Sequence, residues 1–595
     1  MALKFDESRA VRKSMSWLHT WSGLLCGWLL FAVFVTGTLA YFRTEITVWM
    51  QPEAQVARAD DQALGVALAR LQQVGAGARN WGIELPQPRS PLLQISWSNS
   101  DRRGDGKREV LDPSSGQPLA VRETAGGRFL YDFHYQLHGL ERGTGRLITG
   151  VCAFVMLLAV LTGIVVHKNI FKDFFTFRPG KGQRSWLDAH NVCSVMALPF
   201  FLMISASGVM LVANNVLPVV TGAAYGGDPQ GMMADMRGRR PGVAPGQAGQ
   251  GMAPGRGGAA MAPGQSVPGG GRPEASARGG VGERGGTGRG ERGDRGGDAG
   301  RVAAPPAEAA PLVDIVALRE DAARRWGGRG VASLTIRQPG TAQAVVEFRS
   351  VGGELLSNRG MPQTLRYSGV TGVPLEQTPA PQSGPRKAFA VLEAMHLGVF
   401  GLPFERWLLF VSGVLGSLMI ATGLSMWLVA RQRDRLAVEH RHAGHRIVET
   451  LNVAAMGGVL LAVCAYFWAN RLVPAGLEDR QLWEIRAFFG VWLLALLHAA
   501  LRPHKTAWVE QLAAAGVLAA LLPVLNALTG GAHLFVAWTR GLAGIAAFDL
   551  MALVLGLSLL WAARAVRRHA PRPRAAVAAS SPAKPQLQEL QGVTP

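Results

Sequence analysis

The chain has 595 residues, of which 48% are hydrophobic, and its 61 Lys and Arg against 41 Asp and Glu leave a net charge of +20. The apolar residues gather in several runs of about twenty, the length that crosses a hydrocarbon layer, which excludes a soluble enzyme and makes this a polytopic membrane protein. Much of the positive charge borders those runs, as orientation signals do, so the charge does not argue for a nucleic-acid partner.

The first run, from Leu24 to Tyr41, follows Lys4, Arg9, Arg12 and Lys13. It is too long for a signal peptide and lacks the small-residue cleavage pattern, so it reads as a retained helix closing an N-terminal unit, 1–41. Spans are predicted near 17–41, 147–167, 190–213, 406–430, 448–469, 482–500, 507–529 and 542–565. With eight spans, the N-terminal segment, the 168–189, 431–446 and 501–506 connections and the tail from 567 all fall on one side. Their Lys and Arg make that side the cytoplasm, with both termini inside.

The loops 42–146 and 214–405 then face outward. Each holds an apolar-periodic stretch (63–74; 312–325) followed by alternating runs (92–97 and 109–111; 333–337 and 344–348), which predicts two small α+β modules, at 42–146 and 311–405. They flank spans two and three (147–213) and a segment, 214–310, that from Gly226 onward is dominated by Gly, Arg and Pro. Between 241 and 300 it has no aromatic residue, and its only β-branched aliphatics are Val243, Val267 and Val281. Such a composition cannot bury enough apolar surface to offset its ordering entropy, so it reads as a disordered tether. The fourth span (406–430) is followed by an additional four-span module, 431–566, and a disordered cytoplasmic tail, 567–595.

The first four spans contain a duplication. Ser16-Trp17-Leu18-His19 opens span one with Gly37 eighteen residues after the histidine; Ser185-Trp186-Leu187-Asp188-Ala189-His190 opens span three with Gly208 at the same interval. Eighteen helical residues rise about 27 Å, which puts His19 and His190 near the inner face and the glycines near the outer face. Spans two and four match likewise, from Arg146 to Thr162-Gly163 and from Arg406 to Thr422-Gly423, and ahead of each arginine stands an outer histidine, His138 and His396. His134, four residues before His138 and so predicted on one helical face with it, and His167 at the inner end of span two join these groups.

A single histidine at a span end is most often an anchor or packing residue. Four at repeat-related depths point to ligands, because two imidazoles facing across a bundle form the axial pair of a low-spin haem b. Two haems follow: His19 with His190 inside and His138 with His396 outside, His134 and His167 being alternates or supporting groups. Zinc or copper would call for Cys or carboxylate ligands at close spacing, whereas Cys26, Cys152, Cys193 and Cys464 all lie inside apolar runs, away from the histidines. No Cys-x-x-Cys-His motif for covalent haem is present. His440, His442 and His445 sit among arginines and read as a solvated inner loop.

These residues resemble the PepSY-associated transmembrane proteins, also called iron-regulated membrane proteins, which include siderophore reductases of the bacterial inner membrane. The resemblance runs over roughly 10–430. It rests on Trp17-Leu18-His19 with Thr36-Gly37, Phe133-His134 with Leu137-His138, Thr162-Gly163 with His167, Phe175-Thr176-Phe177-Arg178-Pro179-Gly180, Leu187-Asp188-Ala189-His190-Asn191 with Pro199-Phe200, and His396 with Gly398. It implies that the outer modules are PepSY-like, that His19, His190, His138 and His396 are haem ligands, and that the acceptor is a periplasmic ferric siderophore. Within it the tether looks like an insertion, and the last four spans form an added module beyond it.

The expected protein is thus a haem-b electron-transfer protein, of oxidoreductase type, fed by quinol or by a cytoplasmic reductase. No Gly-x-Gly-x-x-Gly opens a strand-turn-helix unit, so a built-in NAD or flavin domain is not expected. The competing expectation is a non-enzymatic scaffold or transport partner whose outer modules bind periplasmic proteins or peptides. On topology, a reporter fused after Lys505 is expected in the cytoplasm and one inserted at Gly270 in the periplasm; a periplasmic C-terminus would break the repeat argument.

Overall fold

The computed structural model describes residues 2–56, 62–100, 106–167, 170–180, 182–216, 228, 308–352, 363–375, 384–399, 403–431 and 443–569. Most of the tether segment, His440, His442 and the tail beyond 569 lie outside the described residues.

The first half of the chain forms helices α1 (Ala2–Ala40), α2 (Arg43–Trp49), α3 (Ala63–Val74), α4 (Gly126–Gln136), α5 (Arg142–Val166), α6 (Ile170–Phe174), α7 (Gln183–Met196) and α8 (Leu198–Val216). Then come α9 (Ile315–Arg325), α10 (Gly384–Leu397) and α11 (Pro403–Ala430). The last part holds α12 (Ala443–Asn452), a π turn at Val453–Gly457, α13 (Gly458–Leu472), α14 (Arg480–Leu501), α15 (His504–Ala520), α16 (Leu522–Leu528), α17 (Leu534–Thr539) and α18 (Ala543–Arg568).

Among the described residues, 7 helices are long and apolar enough to cross a membrane, and α7 with α8 forms an eighth such stretch bent by 71°. The bend has a local cause. Pro199, second residue of α8, has no N–H to offer Val195, and Ala197 leaves the helical region at φ −118°, ψ 23°. The straight rise predicted between His190 and Gly208 is therefore broken in the middle.

Helix α1 packs on both α5 and α11, α5 packs on α8, and α7 packs on α11. This arrangement closes a bundle around Leu30, Cys152, Met156, Val160 and the fully buried Phe201. Glu141 starts α5 by accepting the Gly143 and Thr144 N–H groups, each at 2.8 Å. In the last four spans, α15 and α18 cross so closely that a Cβ on Gly556 would fall 2.4 Å from the Ala520 nitrogen, the small-residue contact typical of membrane helices.

The strands are β1 (Asn80–Glu84), β2 (Leu93–Ser98), β3 (Lys107–Leu111), β4 (Val331–Arg337), β5 (Val345–Ser350), β6 (Thr364–Ser368) and β7 (Pro374–Leu375). They form one 7-stranded sheet in the order β3-β2-β1-β4-β5-β6-β7, and every pairing is antiparallel. The expectation of two modules is corrected here. Each half does supply a helix and strands, but β1 pairs with β4, with Trp81 opposite Ile336 and Ile83 opposite Leu334. Helices α3 and α9 both cover the resulting core, through Leu64 and Leu71 on one and Ile315 and Leu318 on the other. The physical reason is that each half alone would leave an unpaired edge strand beside its apolar face, and joining them removes both edges.

Phe348 is fully buried in this shared core. Phe348→Ala is expected to destabilise the sheet domain by about 3–5 kcal/mol, and hydrogen exchange should show β1, β2 and β3 losing protection together with β5. Loss confined to the second half would mean that the halves fold separately.

Candidate functional site

Four of the predicted histidines come together as two pairs. His19 on α1 and His190 on α7 have ring centres 6.3 Å apart. His134 on α4 and His396 on α10 have ring centres 6.1 Å apart. The pairs lie toward opposite ends of α1, since His134 bonds the carbonyl of Val33, and the fourteen residues from His19 to Val33 rise about 21 Å.

Each ring is anchored through the same atom. His19 Nδ1–H donates to the Ala159 carbonyl at 2.8 Å, with Thr162 Oγ1 at 3.3 Å. His190 repeats this on α11, donating to the Met419 carbonyl at 2.9 Å with Thr422 Oγ1 at 3.3 Å. His134 donates to the Val33 carbonyl at 2.7 Å, and His396 to Ser207 Oγ at 2.8 Å. A carbonyl only accepts, and Ser207 Oγ already donates to the Met203 carbonyl at 2.6 Å, so the network assigns the proton to Nδ1 in each ring. Nε2 is left as a lone pair. Desolvation holds both outer imidazoles below the usual histidine range, His396 down to about 3 with His134 beside it as second cause, so both are neutral at pH 7.

The repeat glycines have a steric role. A Cβ on Gly163 would stand 3.3 Å from His19, one on Gly423 3.2 Å from His190, and one on Gly208 3.3 Å from His396. On Gly37 it would fall 2.4 Å from His134 Nδ1. Every ring lies against a helix thinned at the point of contact.

The structure corrects the outer pairing. His138 does not face His396; it stacks on Phe489 at 5.5 Å and meets the edge of Phe129 at 5.7 Å. Nor does it share a helical face with His134. Helix α4 ends at Gln136, and Leu137 takes φ 58°, which turns the chain between the two histidines. His167 is the residue that ends α5, with its N–H on the Gly163 carbonyl at 3.0 Å. Among the described residues, no three His, Cys, Asp or Glu side chains gather in a metal-binding group.

A buried polar network that sequence reasoning missed joins the last four spans to α2 and α4. Arg480 and Glu484 pair at 2.6 Å with both side chains fully buried. Glu484 accepts from the Thr124 hydroxyl at 2.8 Å, the Ala125 N–H at 3.0 Å and Asn470 at 2.7 Å. It thus holds the entry to α4, the helix that carries His134 and whose first two N–H groups, of Gly126 and Gly127, bond Thr124 Oγ1 and Thr47 Oγ1, each at 3.0 Å. Beside it, Trp49 of α2 donates to Asp549 at 2.8 Å, and Arg471 bonds the Trp49 carbonyl and Asn526. The signal was present: ionisable residues within or beside an apolar run are rarely idle.

Helices that cross a membrane, an attached sheet domain and paired intrabundle histidines define a polytopic helical membrane protein with a candidate metal-ligating core. The chain belongs to the family of the PepSY-associated TM region, which matches residues 16–430. It is also similar to an uncharacterised Pseudomonas aeruginosa protein, 24% identical over 431 residues that cover 70% of this chain and 89% of that protein. The spans after residue 430 lie beyond the family match.

Glu484→Ala is expected to cost about 3–5 kcal/mol, because it strands the Arg480 charge in a buried site, and to fray the first turn of α4. Thermal melting and amide exchange over 126–130 measure this; an unchanged melting curve would contradict the role of Glu484 as partner of Arg480 and anchor of the α4 entry.

Proposed function

We propose that the protein is a haem-b electron-transfer protein of the bacterial inner membrane that reduces a periplasmic ferric siderophore. The observation that carries this reading is the pair of imidazole pairs. One metal atom between two imidazoles, with bonds of about 2 Å and about 1 Å from each nitrogen to its ring centre, sets the centres roughly 6 Å apart; the pairs stand at 6.3 and 6.1 Å. A bare ion would need further protein ligands, and no third His, Cys, Asp or Glu joins either pair among the described residues. Each pair offers two neutral imidazoles, a donor set that fits haem b.

His19 and His190 would hold the inner group, His134 and His396 the outer one. Bound there, haem supplies a one-electron centre. The Nδ1 anchors keep each Nε2 lone pair free for ligation and stop the rings from turning, and Gly37, Gly163, Gly208 and Gly423 leave room beside them. The positive-inside distribution places the inner pair toward the cytoplasm, where quinol or a cytoplasmic reductase would donate, and the sheet domain in the periplasm. The two halves of that domain are read as PepSY-like. One electron given to a ferric chelate suffices, because Fe(II) binds hard oxygen ligands less tightly.

Purified protein should show a reducible haem-b absorbance spectrum. His396→Ala and His134→Ala should each remove about half the haem, leaving His138→Ala with a full complement, while His19→Ala and His190→Ala remove the other half and His167→Ala none. A wild-type protein without the band would exclude electron transfer and leave the membrane scaffold as the reading.

A further inference from the structure

A cavity of about 280 Å³ opens beside the outer pair, with His134 and His396 in its wall and Phe34, Phe200 and Ile204 as an apolar floor. Its lining includes three arginines, Arg43, Arg89 and Arg406, and no carboxylate. Arg89 clasps Glu45 through Nε at 2.7 Å and Nη2 at 2.8 Å. Arg406 reaches the same carboxylate only at 3.4 Å, and Arg43 lies over the Tyr131 ring at 4.6 Å. Among the described residues, these contacts set three guanidinium groups beside one carboxylate. The Arg406 side chain is 14% exposed and that of Glu45 9%, whereas that of Arg89 is 39% exposed and Arg43 is exposed, so one guanidinium of the three is largely desolvated, and a surplus of positive charge beside it favours an anion.

We propose that Arg43, Arg89 and Arg406 form a carboxylate-binding site at the outer histidine pair. The planar guanidinium fork matches a carboxylate through two parallel hydrogen bonds. The cavity lies below the roughly 300–1,000 Å³ of a drug-sized pocket, which suits one carboxylate-bearing arm of a larger molecule. Two sources supply that chemistry: the propionate groups of a haem ligated by His134 and His396, or a carboxylate on the ferric chelate that receives the electron. The inference rests on the proposed function for the nature of the larger molecule, whereas the excess of positive charge stands apart from it.

The test uses the full-length protein with Arg406→Gln and, at an exposed position, Arg43→Gln. The absorbance spectrum of the wild type is taken first, so a missing haem band sinks the functional reading alone; citrate binding by calorimetry, wild type against variants, then still tests the site. If propionates are the ligand, both variants bind protohaem about tenfold more weakly than wild type and bind its dimethyl ester as wild type does. If the acceptor is the ligand, haem affinity is unchanged, KM for ferric citrate rises about tenfold, and KM for the neutral ferric tris-maltolate stays level. Variants that match wild type in haem affinity, in KM for ferric citrate and in citrate binding, with native melting curves, would overturn the proposal.

Discussion

A hydrogen bond from an imidazole Nδ1 to an acceptor one helix away is the constraint around which the bundle is arranged. It ties α1 to α5, α7 to α11, α4 to α1 and α10 to α8, so the contacts that orient the rings also set the neighbours of each helix. The threonine hydroxyls beside the inner pair donate back into their own helices, Thr162 to Leu158 and Thr422 to Leu418, each at 2.8 Å. Polar groups are thereby satisfied without water, which an apolar surrounding requires.

Much of this was legible in the sequence because the repeat preserves spacing along helices, and a helix converts spacing into depth. Spacing alone pairs His19 with His190 and marks the glycines that stand against the rings. The outer pairing was not legible. His138 stands eight residues before Arg146, His134 twelve, and His396 ten before Arg406, so spacing places both candidates equally far from the repeat position. The choice is made by the positive φ at Leu137, a tertiary outcome that no local signal announces. The joining of the sheet halves was hidden for a related reason: a strand pattern shows which face is buried but not which edge finds a partner. The Arg480–Glu484 pair escaped because charges at the end of an apolar run also read as an interfacial boundary.

The last four spans bear on the bundle through side-chain chemistry rather than sequence kinship. Their buried acids and arginines meet the backbone of the segments at 47–56 and 122–126, and Tyr466 donates to the Gly126 carbonyl at 2.8 Å. Around this contact Phe129, Phe133, Phe488, Phe489 and Trp492 pack edge to face and in offset stacks, with His138 among them. The histidine displaced from the outer pair therefore joins an aromatic layer between α4 and α14.

The seam between β1 and β4 has a consequence for biogenesis. The two strands are separated by 246 intervening residues, including two stretches that enter the membrane. At a synthesis rate of about 5–20 residues per second, the first half of the sheet waits roughly 12–50 s with its seam edge unpaired. During that interval β1 is a template for any extended chain nearby, and the domain is completed only after the third membrane stretch has been delivered. Membrane insertion and folding outside the membrane are thus ordered events on one chain, and a chaperone that shields an open strand edge has its natural point of action there.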